Sequence, residues 1–470
     1  MTTILQFCGL AILVYFFLLC AISLLLLLLG AIQIGKYKDE ITVAEFDHIA
    51  KSKLSMPISL IIPAHNEAAI IIGTVENVLH LNYPTHEVIV VDDGSTDETL
   101  NILRQHFNLQ RLEKDGATHI ATHKIIGIYE SPDHPNLVVI SKENGHRADA
   151  INAGVNLSRY PLLCIIDADC VIESDGLLHM ARPFLFDPNL AASAGVVRPS
   201  NGLVVENGII LERGLPKTFL GMNQEIEYAR SFQWARIGLN RLHSMLCISG
   251  ALLLIKKTVF EKTGGPWAEA ITDDIEYTIR LNGYLFDRQN NQHLNIAFTP
   301  DVVCYTQVPE KFYQYLSQRN RWQRGTLQAI FRNWRMILNP RYGATGLFGM
   351  PYFLIFEAFA PLVEFTAYIL AIALFVMGLT TGKAIIILVL LAYIASVFIT
   401  LLTVLITENS QLRTTSWKDY CKMILAIFLD NLGWHQIRVF TSLVATIEYF
   451  ILQRRDLGAE MERASHSSSV

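Results

Sequence analysis

The sequence predicts an α/β domain with a mostly parallel sheet, flanked by transmembrane helices. Of the 470 residues, 51% are hydrophobic and 17% are charged, and the mean hydropathy is +0.32, which is too apolar for an ordinary soluble protein of this length. The apolar excess lies near the two ends of the chain. Between the ends, short β-branched runs alternate with helical stretches, the pattern of a parallel sheet covered by helices.

The first element, residues 1–34, is predicted to be a transmembrane helix. Residues 5–29 carry no charge, and a run of this length can cross about 30 Å of hydrocarbon. A signal peptide has a shorter apolar core behind a basic region, so this helix is expected to be retained. Lys36, Lys38, Lys51 and Lys53 follow in a linker or interfacial segment, residues 35–55. The positive-inside rule then places the N-terminus outside and the next domain in the cytoplasm.

Residues 56–340 form the predicted cytoplasmic domain. Strands are predicted at 58–62, 87–91, 137–140 and 162–166, and helices at 67–79, 97–105 and 147–157. In open parallel sheets, ligands bind at the carboxyl ends of the strands. Acidic clusters follow several of these strands, so we expect a polar ligand at that edge of the sheet.

Residues 341–452 are predicted to hold transmembrane and interfacial helices. Apolar spans at 347–379 and 384–406 cross and recross the membrane, and the basic residues after them keep the cytoplasmic side positive. Residues 420–452 contain Asp430, His435 and Arg438 and are predicted to form either an interfacial helix pair or a short hairpin. Residues 453–470 form a short Ser-rich tail that is expected to be cytoplasmic and disordered.

The cysteines and the charge balance narrow the class of protein. The seven cysteines are odd in number and include no Cys-x-x-Cys pair, so we expect reduced thiols rather than a disulfide or zinc framework. The net charge is -5, and the sequence has no basic stripe or nucleic-acid motif, so nucleic acid is not an expected partner.

Two acidic clusters end predicted strands. Asp92 and Asp93 precede a Gly-Ser turn, which favours either a helix cap or a carboxylate that binds a nucleotide base or ribose. Asp167 and Asp169 lie side by side and would repel each other unless a cation lay between them. Such oxygen ligands suit Mg²⁺ or Mn²⁺ completed by substrate phosphates, whereas the alternative interpretation is a solvated loop.

Two further motifs lie downstream. Asp273 and Asp274 open a predicted helix, where acids either complement the helix dipole or serve as a general base. Gln318, Arg321 and Trp322 precede the apolar tail. This triplet is either an interfacial membrane anchor or a site that binds a diphosphate and stacks on a sugar ring. The acids upstream favour the site.

Six motifs in one order carry a resemblance to a known family. They are Ile62-Pro63-Ala64-His65-Asn66-Glu67, the Asp-Asp-Gly-Ser-Thr-Asp turn at 92–97, Asp167-Ala-Asp169, Ser249-Gly250-Ala251, Thr272-Asp-Asp274 and Gln318-x-x-Arg321-Trp322. Together they resemble the processive, membrane-embedded family 2 glycosyltransferases, which include cellulose, hyaluronan and poly-N-acetylglucosamine synthases. The resemblance covers residues 58–325 and extends more loosely into the tail.

The resemblance implies a cytoplasmic domain of the GT-A fold and an integral protein of the bacterial plasma membrane. It implies inverting transfer of a hexose or N-acetylhexosamine from a UDP-sugar to a growing β-linked polysaccharide, coupled to export. The implied cofactor is Mg²⁺ or Mn²⁺, and the implied partners are the UDP-sugar, the glycan acceptor and the lipid bilayer. Three spans are few for a polymer channel, so a homo-oligomer or an accessory membrane subunit could supply the rest.

The resemblance also implies roles for individual residues. Asp274 would be the general base, and Asp167 and Asp169 would hold the metal and the diphosphate. Nucleotide-sugar contacts would come from Pro63, Glu67, Asp92, Asp93, Arg147 and Asp167. Contacts to the acceptor or the diphosphate would come from Ser249, Gly250, Asp273, Gln318, Arg321 and Trp322.

The sequence departs from the family pattern at two places. Relatives usually read Asn-Gly-Gly-Lys where this chain has Asn144-Gly145-His146-Arg147, so a phosphate contact is kept but with a different geometry, because Arg and Lys are not interchangeable. Asp273 stands where relatives often carry Glu, which is a minor change.

Two alternative functions and one membrane motif complete the prediction. Single-sugar transfer to a membrane lipid is the second enzymatic interpretation, and a catalytically dead scaffold would require loss of an essential acid, although every acid is present. Glu357 and Glu364 lie seven residues apart, hence on one helical face, and acids at membrane depth are costly. They are predicted to border a sugar path or pack on the catalytic domain, or else to lie at the cytoplasmic interface.

Overall fold

The computed structural model describes residues 2–43, 55–113, 119–287, 294–409 and 416–454. Most of the predicted linker, at 44–54, and most of the predicted tail, at 455–470, lie outside the described residues. The chain begins with a long helix, α1 (Thr2–Val43), of which Ile4–Tyr37 is apolar and long enough to cross a membrane. The helix therefore continues beyond the predicted span of residues 1–34 and into the predicted linker.

Helix α1 packs tightly against the α/β domain at a glycine. A Cβ atom on Gly238, in α7 (Ala235–Arg241), would lie 2.5 Å from the carbonyl oxygen of Leu26, so the two helices touch backbone to backbone. Further along α1, Tyr37 donates a hydrogen bond to Asp301, whose carboxylate also lies 2.7 Å from His179 Nδ1. These contacts attach α1 to the domain at two points along the helix, Leu26 and Tyr37.

A ten-stranded sheet forms the centre of the domain. Its strand order is β3-β4-β5-β2-β1-β6-β11-β8-β12-β7, and β9 and β10 form a separate antiparallel hairpin. The strands are β1 (Ile58–Ala64), β2 (His86–Asp93), β3 (Gln110–Leu112), β4 (Ile125–Glu130), β5 (Leu137–Lys142), β6 (Leu162–Ile166), β7 (Cys170–Ile172), β8 (Leu190–Pro199), β9 (Leu203–Glu206), β10 (Ile209–Arg213), β11 (Leu252–Lys256) and β12 (Asn295–Thr306).

The sheet is mixed, and its parallel part lies at the centre. Neighbours within β5-β2-β1-β6 run parallel, as does the pair β8 and β12. Strand β11 returns antiparallel between β6 and β8, and β3, β4 and β7 are also antiparallel. The predicted mostly parallel sheet thus describes the central strands β1, β2, β5 and β6, whereas β3, β4, β7 and β11 pair antiparallel with their neighbours.

Helices cover both faces of the sheet because alternate residues of each strand point to opposite sides. Leu60 and Ile62 face a cluster with α2 and α5, while Ile61 and Val91 face a cluster with α4 and α9. The helices are α2 (Ile71–Leu79), α3 (Thr99–His106), α4 (His146–Leu157), α5 (Gly176–Phe186), α6 (Phe219–Glu227), α7, α8 (Lys257–Thr263), α9 (Asp273–Leu285) and α10 (Phe312–Arg332).

Two predicted helices begin later than expected because polar groups form turns before them. The helix predicted from residue 67 starts at Ile71, since the carbonyl of Glu67 accepts the N–H groups of Ile70 and Ile71 at 3.0 Å. The helix predicted from residue 97 starts at Thr99, whose N–H bonds to the Asp97 carboxylate at 3.0 Å. The strand predicted at 162–166 has those bounds in the structure.

The C-terminal part is helical. Its helices are α11 (Met350–Tyr352), α12 (Ala360–Val376), α13 (Gly382–Asn409), α14 (Trp417–Leu429) and α15 (His435–Phe450). Residues 382–406 are long and apolar enough to cross a membrane. The first predicted span is instead a pair of helical segments, Thr345–Ala358 and Ala360–Val376, bent by 47°. Pro361 stands in the first turn after the bend, where its missing N–H cannot continue a preceding helix.

Two helices occupy residues 417–450, and the choice between an interfacial helix pair and a short hairpin stays a prediction. Helices α14 and α15 are joined through Asp430–Trp434, where Gly433 has a φ of 150°. Charged groups in this region are paired, since Arg438 donates to Asp430 at 2.7 and 2.9 Å. All seven cysteines are free thiols.

A fully buried lysine connects the strand ends that carry the first acidic cluster. The Nζ atom of Lys142, at the end of β5, lies 2.5 Å from the carboxylates of both Asp93 and Asp149. Asp93 ends β2 and Asp149 lies in the first turn of α4. The ammonium group therefore joins β2, β5 and α4 from inside the protein.

Replacing Lys142 with Met should destabilise the domain. The substitution leaves two buried carboxylates without their shared cation, which costs about 3–5 kcal/mol for a broken buried ion pair. Thermal unfolding of the purified protein in detergent should show a midpoint lower by roughly 10 °C. The exposed Lys262 provides the control, since Lys262→Met should leave the midpoint unchanged. An unchanged midpoint in the Lys142 variant would contradict the structural role of this lysine.

Candidate active site

A cavity of about 2500 Å³ opens at the carboxyl ends of β1, β2 and β6 and continues between α1, α12 and α13. Every predicted site residue except Asp92 lines it. These residues are Pro63, Glu67, Asp93, Arg147, Asp167, Asp169, Ser249, Gly250, Asp273, Asp274, Gln318, Arg321 and Trp322. The fold thus brings together motifs that are up to 259 residues apart, from Pro63 to Trp322.

Asp92 and Asp93 point to opposite faces of β2, so only one of them reaches the cavity. The Asp93 carboxylate accepts the Gly145 N–H at 3.0 Å and pairs with Lys142. Asp92 is 2% exposed, and its carboxylate accepts the Ser141 hydroxyl and the Ser95 N–H, both at 3.3 Å. Burial raises the pKa of Asp92. Asp92 therefore lies behind the site, whereas Asp93 lies in its wall.

Asn66 connects the two loops that hold the predicted nucleotide contacts. Its φ of 57° lies in the left-handed region, which Asn tolerates better than most residues. Its side-chain oxygen accepts the N–H groups of Thr96 at 2.8 Å and Asp97 at 3.3 Å, and its own N–H bonds to the Ser95 hydroxyl at 3.0 Å. The loops after β1 and β2 are therefore held side by side. The sequence analysis gave Asn66 no role of its own.

Arg147 lies at the centre of the site. Its Nε atom lies 2.7 Å from an Asp167 oxygen, Nη1 bonds to Asp273, and Nη2 donates to the Gly250 carbonyl at 2.7 Å. One guanidinium therefore connects α4, the end of β6, the N-terminus of α9 and the Gly250 loop. The residue that departs from the family pattern forms the main link between the acidic motifs.

Asp167 and Asp169 form a carboxylate pair that suits a divalent cation. Burial raises the pKa of Asp167 to about 6, Arg147 opposes this shift, and the charge of Asp169 adds to it. Asp169 is buried and accepts the Thr306 hydroxyl at 3.3 Å. In the described part of the chain, no group of three or more His, Cys, Asp or Glu residues could hold a metal. The pair fits Mg²⁺ or Mn²⁺ only with further oxygen ligands, such as substrate phosphates.

Asp274 lines the cavity next to the Gly250 loop. Its carboxylate accepts the Gly250 N–H at 3.1 Å and the Ile275 N–H at 2.8 Å, so it is oriented by backbone groups. Burial and the neighbouring Asp273 raise the pKa of Asp274, and Arg147 opposes them. A Cβ atom on Gly250 would lie 3.2 Å from the Asp274 Cβ atom, so a larger residue would crowd this contact.

Gln318, Arg321 and Trp322 lie on α10, which packs directly on the acidic helix α9. A Cβ atom on Gly325 would lie 2.1 Å from the Thr272 hydroxyl, so the absence of a side chain lets the two helices touch one turn after Trp322. Arg321 makes no hydrogen bond to the part of the chain that the structure describes, and burial lowers its pKa. A cation without a direct partner faces the carboxylates of the site.

Trp322 is backed by an arginine that the sequence analysis did not identify. The guanidinium of Arg319 lies 4.2 Å from the centroid of the Trp322 ring and pairs with Glu227 at 2.7 Å. Arg319 is 6% exposed and also bonds to Gln318. Because Glu227 lies 92 residues away in the sequence, no local pattern could reveal this arrangement.

The cavity continues past Trp322 into the membrane helices. Glu357 and Glu364 both line it, although the 47° bend falls between them. The Glu364 carboxylate lies 2.9 Å from His435 Nε2, and Glu357 accepts the Tyr352 hydroxyl at 3.3 Å.

Wider π-helical turns supply further lining residues of the cavity. They are Tyr228–Trp234, Thr345–Gly349, Phe353–Ala358 and Asp430–Trp434. π-Helical turns are rare in proteins, and those that occur are often found at functional sites.

Comparison with known proteins places the chain among sugar-transferring enzymes. It is 27% identical over 305 residues to a poly-beta-1,6-N-acetyl-D-glucosamine synthase of Staphylococcus epidermidis, covering 64% of this chain and 61% of the relative. A protein of the same description from Staphylococcus aureus (strain COL) is 26% identical over 279 residues, covering 59% and 56%. The chain thus spans about three fifths of the length of these relatives.

A solved structure supports the fold. The mannosyltransferase PcManGT from Pyrobaculum calidifontis, solved with GDP-Man and Mn²⁺, matches with a TM-score of 0.51 and 17% identity, covering 93% of this chain and 100% of that one. At this identity the match establishes a shared GT-A fold.

Two family models match along the chain. Residues 59–263 match the model of glycosyl transferase family 2, and residues 162–407 match that of glycosyl transferase family group 2. The second match covers more than half of the chain and includes the acidic helix α9, the Gln318 to Trp322 motif and helices α12 and α13. The protein therefore belongs to glycosyl transferase family group 2.

Proposed function

We propose that this protein transfers N-acetylglucosamine from UDP-N-acetylglucosamine to the growing end of a β-linked polysaccharide at the membrane. The single observation that carries the proposal is one cavity that joins the acidic cluster around Arg147 to Arg321 and Trp322 and then continues between membrane helices. The choice of sugar rests on the two staphylococcal relatives, whose names specify a poly-N-acetylglucosamine product.

The donor would bind at the carboxyl ends of β1 and β2. Asp93, with Pro63 and Glu67 beside it, would contact the uracil and the ribose. Asp92 would support this wall from behind through Ser95 rather than touch the nucleotide. Arg147 and Arg321 would bind the diphosphate, because guanidinium groups match the geometry of phosphate oxygens. Gln318 would bind it through its side-chain amide.

Asp167 and Asp169 would hold Mg²⁺ or Mn²⁺ together with the donor phosphates. When bound, such a cation neutralises negative charge on the diphosphate leaving group. Arg147 now bonds to Asp167, so binding of the donor is expected to redirect this guanidinium toward phosphate oxygens.

Asp274 would remove the proton from the acceptor hydroxyl. The acceptor oxygen then attacks the anomeric carbon from the side opposite the diphosphate, and the bond between that carbon and the diphosphate oxygen breaks. UDP leaves with the bonding electron pair, and the linkage changes from α in the donor to β in the product. Arg321 would stabilise the charge that develops on UDP, and so would Arg147 once donor binding has redirected it, since charges fixed before the bond breaks act without solvent reorganisation.

Trp322 would stack against the acceptor sugar, with Ser249, Gly250 and Asp273 completing the acceptor side. One face of the indole is covered by Arg319, so the ring is held in place while the sugar contacts the cavity side. Stacking does not depend on a particular hydrogen bond, so successive sugars of a chain can use the same surface.

The membrane part supports export of the product. The cavity extends along α1, α12 and α13 to Glu357 and Glu364, and carboxylates within a membrane span would be costly unless they lined a polar space. We propose a catalytic domain in the cytoplasm of a bacterium, an N-terminus outside and a conduit completed by a second copy or an accessory membrane subunit.

A second candidate function is transfer of a single sugar to a membrane lipid. The same cavity is lined in its deeper part by apolar residues of α12 and α13, such as Leu374, Leu388 and Leu391, which could accommodate an acyl chain. The size of the product separates the two functions.

The proposed activity can be tested with the purified protein in lipid nanodiscs. With Mg²⁺ or Mn²⁺ and a panel of UDP-sugars, UDP-N-acetylglucosamine should give the fastest UDP release, and the product should be a polymer sensitive to a β-N-acetylglucosamine-specific hydrolase. EDTA should abolish the activity, and excess Mn²⁺ should restore it. A single-sugar glycolipid would support the second function, and UDP release from none of the donors would contradict both.

Asp274→Asn should remove catalysis but not donor binding. General base catalysis contributes about 10²–10⁴-fold, so the turnover number for UDP release should fall by at least about 10²-fold. The affinity for UDP, measured by calorimetry, should stay within about twofold of wild type because Asp274 is assigned no contact with the nucleotide. Full turnover in this variant would contradict the assignment of the base.

Asp273→Asn should shift the acid side of the pH–rate profile to lower pH. Asp274 must be deprotonated to accept a proton, so activity falls as the pH drops through the pKa of this group. The charge of Asp273 raises the pKa of Asp274, and removing that charge lowers the pKa again. The rate of UDP release should be measured against pH. Asp175→Asn, which removes an acid outside the cavity, should leave the profile unchanged.

A further inference from the structure

A second tryptophan lines the same cavity and is held by the same kind of contact as Trp322. The guanidinium of Arg332 lies 3.5 Å from the centroid of the Trp267 ring, and its Nε atom lies 3.9 Å from Glu276. Glu276 is buried and lies in the first turn of α9 beside Asp273 and Asp274.

Two Glu–Arg–Trp stacks therefore face one cavity. In the first stack Glu227 pairs with Arg319, which lies over Trp322. In the second, Glu276 lies behind Arg332, which lies over Trp267. In both stacks a guanidinium covers one face of an indole. Glu227 bonds directly to Arg319 at 2.7 Å, whereas Glu276 bonds to Arg280 at 2.9 Å and lies 3.9 Å from Arg332. Cation–π contacts of this kind orient the ring and leave its other surface for a ligand.

The loop that carries Trp267 is fixed at both ends. On one side, Arg280 donates to the carbonyl of Gly265 at 2.5 Å. On the other side, the Gln328 side chain accepts the Ile271 N–H at 2.8 Å and donates to the Glu269 carbonyl at 3.4 Å. The loop is therefore attached to both α9 and α10, and Trp267 has a defined position.

Packing into a core does not account for Trp267. Among the described residues, the four buried hydrophobic clusters do not include it, whereas Trp322 packs against one of them. Trp267 is half-buried and lines the cavity next to Ala268 and Ile271. An indole that lines a cavity suits the apolar face of a pyranose ring.

We propose that Trp267 is a second sugar-stacking platform of the acceptor site, so that the growing chain contacts the protein through two indoles. The inference rests on the proposed function, because it assigns a carbohydrate as the ligand. It adds a binding contact for a second sugar unit of the acceptor, held on the loop that leads directly into the helix of the base.

The test measures binding of a β-1,6-linked N-acetylglucosamine pentasaccharide to the full-length protein in nanodiscs, by saturation-transfer NMR and calorimetry. Trp267→Leu keeps an apolar side chain but removes the ring and should weaken pentasaccharide binding by about tenfold, whereas Trp267→Phe should weaken it by less. UDP affinity should be unchanged in both variants, which also reports intact folding. The polysaccharide made by the Leu variant should be shorter than the wild-type product.

A matched control is available in Trp334, which is 59% exposed, lies 5.9 Å from the guanidinium of Arg335 and does not line the cavity. Trp334→Leu should bind the pentasaccharide as wild type does. Wild-type affinity and product length in Trp267→Leu, or an equal loss in the Trp334 variant, would overturn the inference. A wild-type protein that neither releases UDP from UDP-N-acetylglucosamine nor binds the pentasaccharide would instead contradict the proposed function.

Discussion

The organisation of this protein depends on neutralising carboxylates gathered at one edge of a sheet. Like charges in a half-buried space repel each other and are costly to desolvate, so the fold must supply cations. Lys142 does this from inside, where it joins Asp93 to Asp149. Arg147 does it from the cavity wall, where it bridges Asp167 and Asp273. The same pairings allow the strand ends to come together and offset part of the negative charge of the acids that line the cavity.

The sequence predicted the central strands and pointed to thirteen residues that line the cavity, because those features have local signals. Strand β6 is a run of apolar residues that ends in acids, and the period of two along a strand explains why Asp93 reaches the cavity and Asp92 does not. The alternation of side chains along β2 can be read from the sequence, and it predicts that Asp92 and Asp93 point to opposite faces of the sheet. Lys142 had a weaker signal, since it ends an otherwise apolar run. Arg319 could not be assigned, because its partner Glu227 lies far away in the sequence.

Strand direction and helix bending were harder to predict, because neither changes the local pattern of apolar residues. A β-branched run has the same pattern whether it pairs parallel or antiparallel, and β11 reverses the sheet through pairings with β6 and β8 that only the tertiary structure fixes. In the membrane part, the run at 347–379 is continuous in hydropathy, yet Pro361 interrupts its hydrogen bonding. Glu357 and Glu364 both line the cavity, as a seven-residue spacing on one helical face predicted. A bend nevertheless lies between them, so a single regular helix does not place them there.

Helix α1 has a mechanical consequence. Its 42 residues extend roughly 63 Å at 1.5 Å per residue, about twice the thickness of the hydrocarbon core. Within its apolar segment Ile4–Tyr37, α1 is joined to the domain where Leu26 touches Gly238 and where Tyr37 reaches Asp301. With no side chain between the backbones at the first contact, the helix and the domain turn together. The thickness of a bilayer sets the tilt of a helix that spans it, and a change in the tilt of α1 would reach the domain through these two contacts.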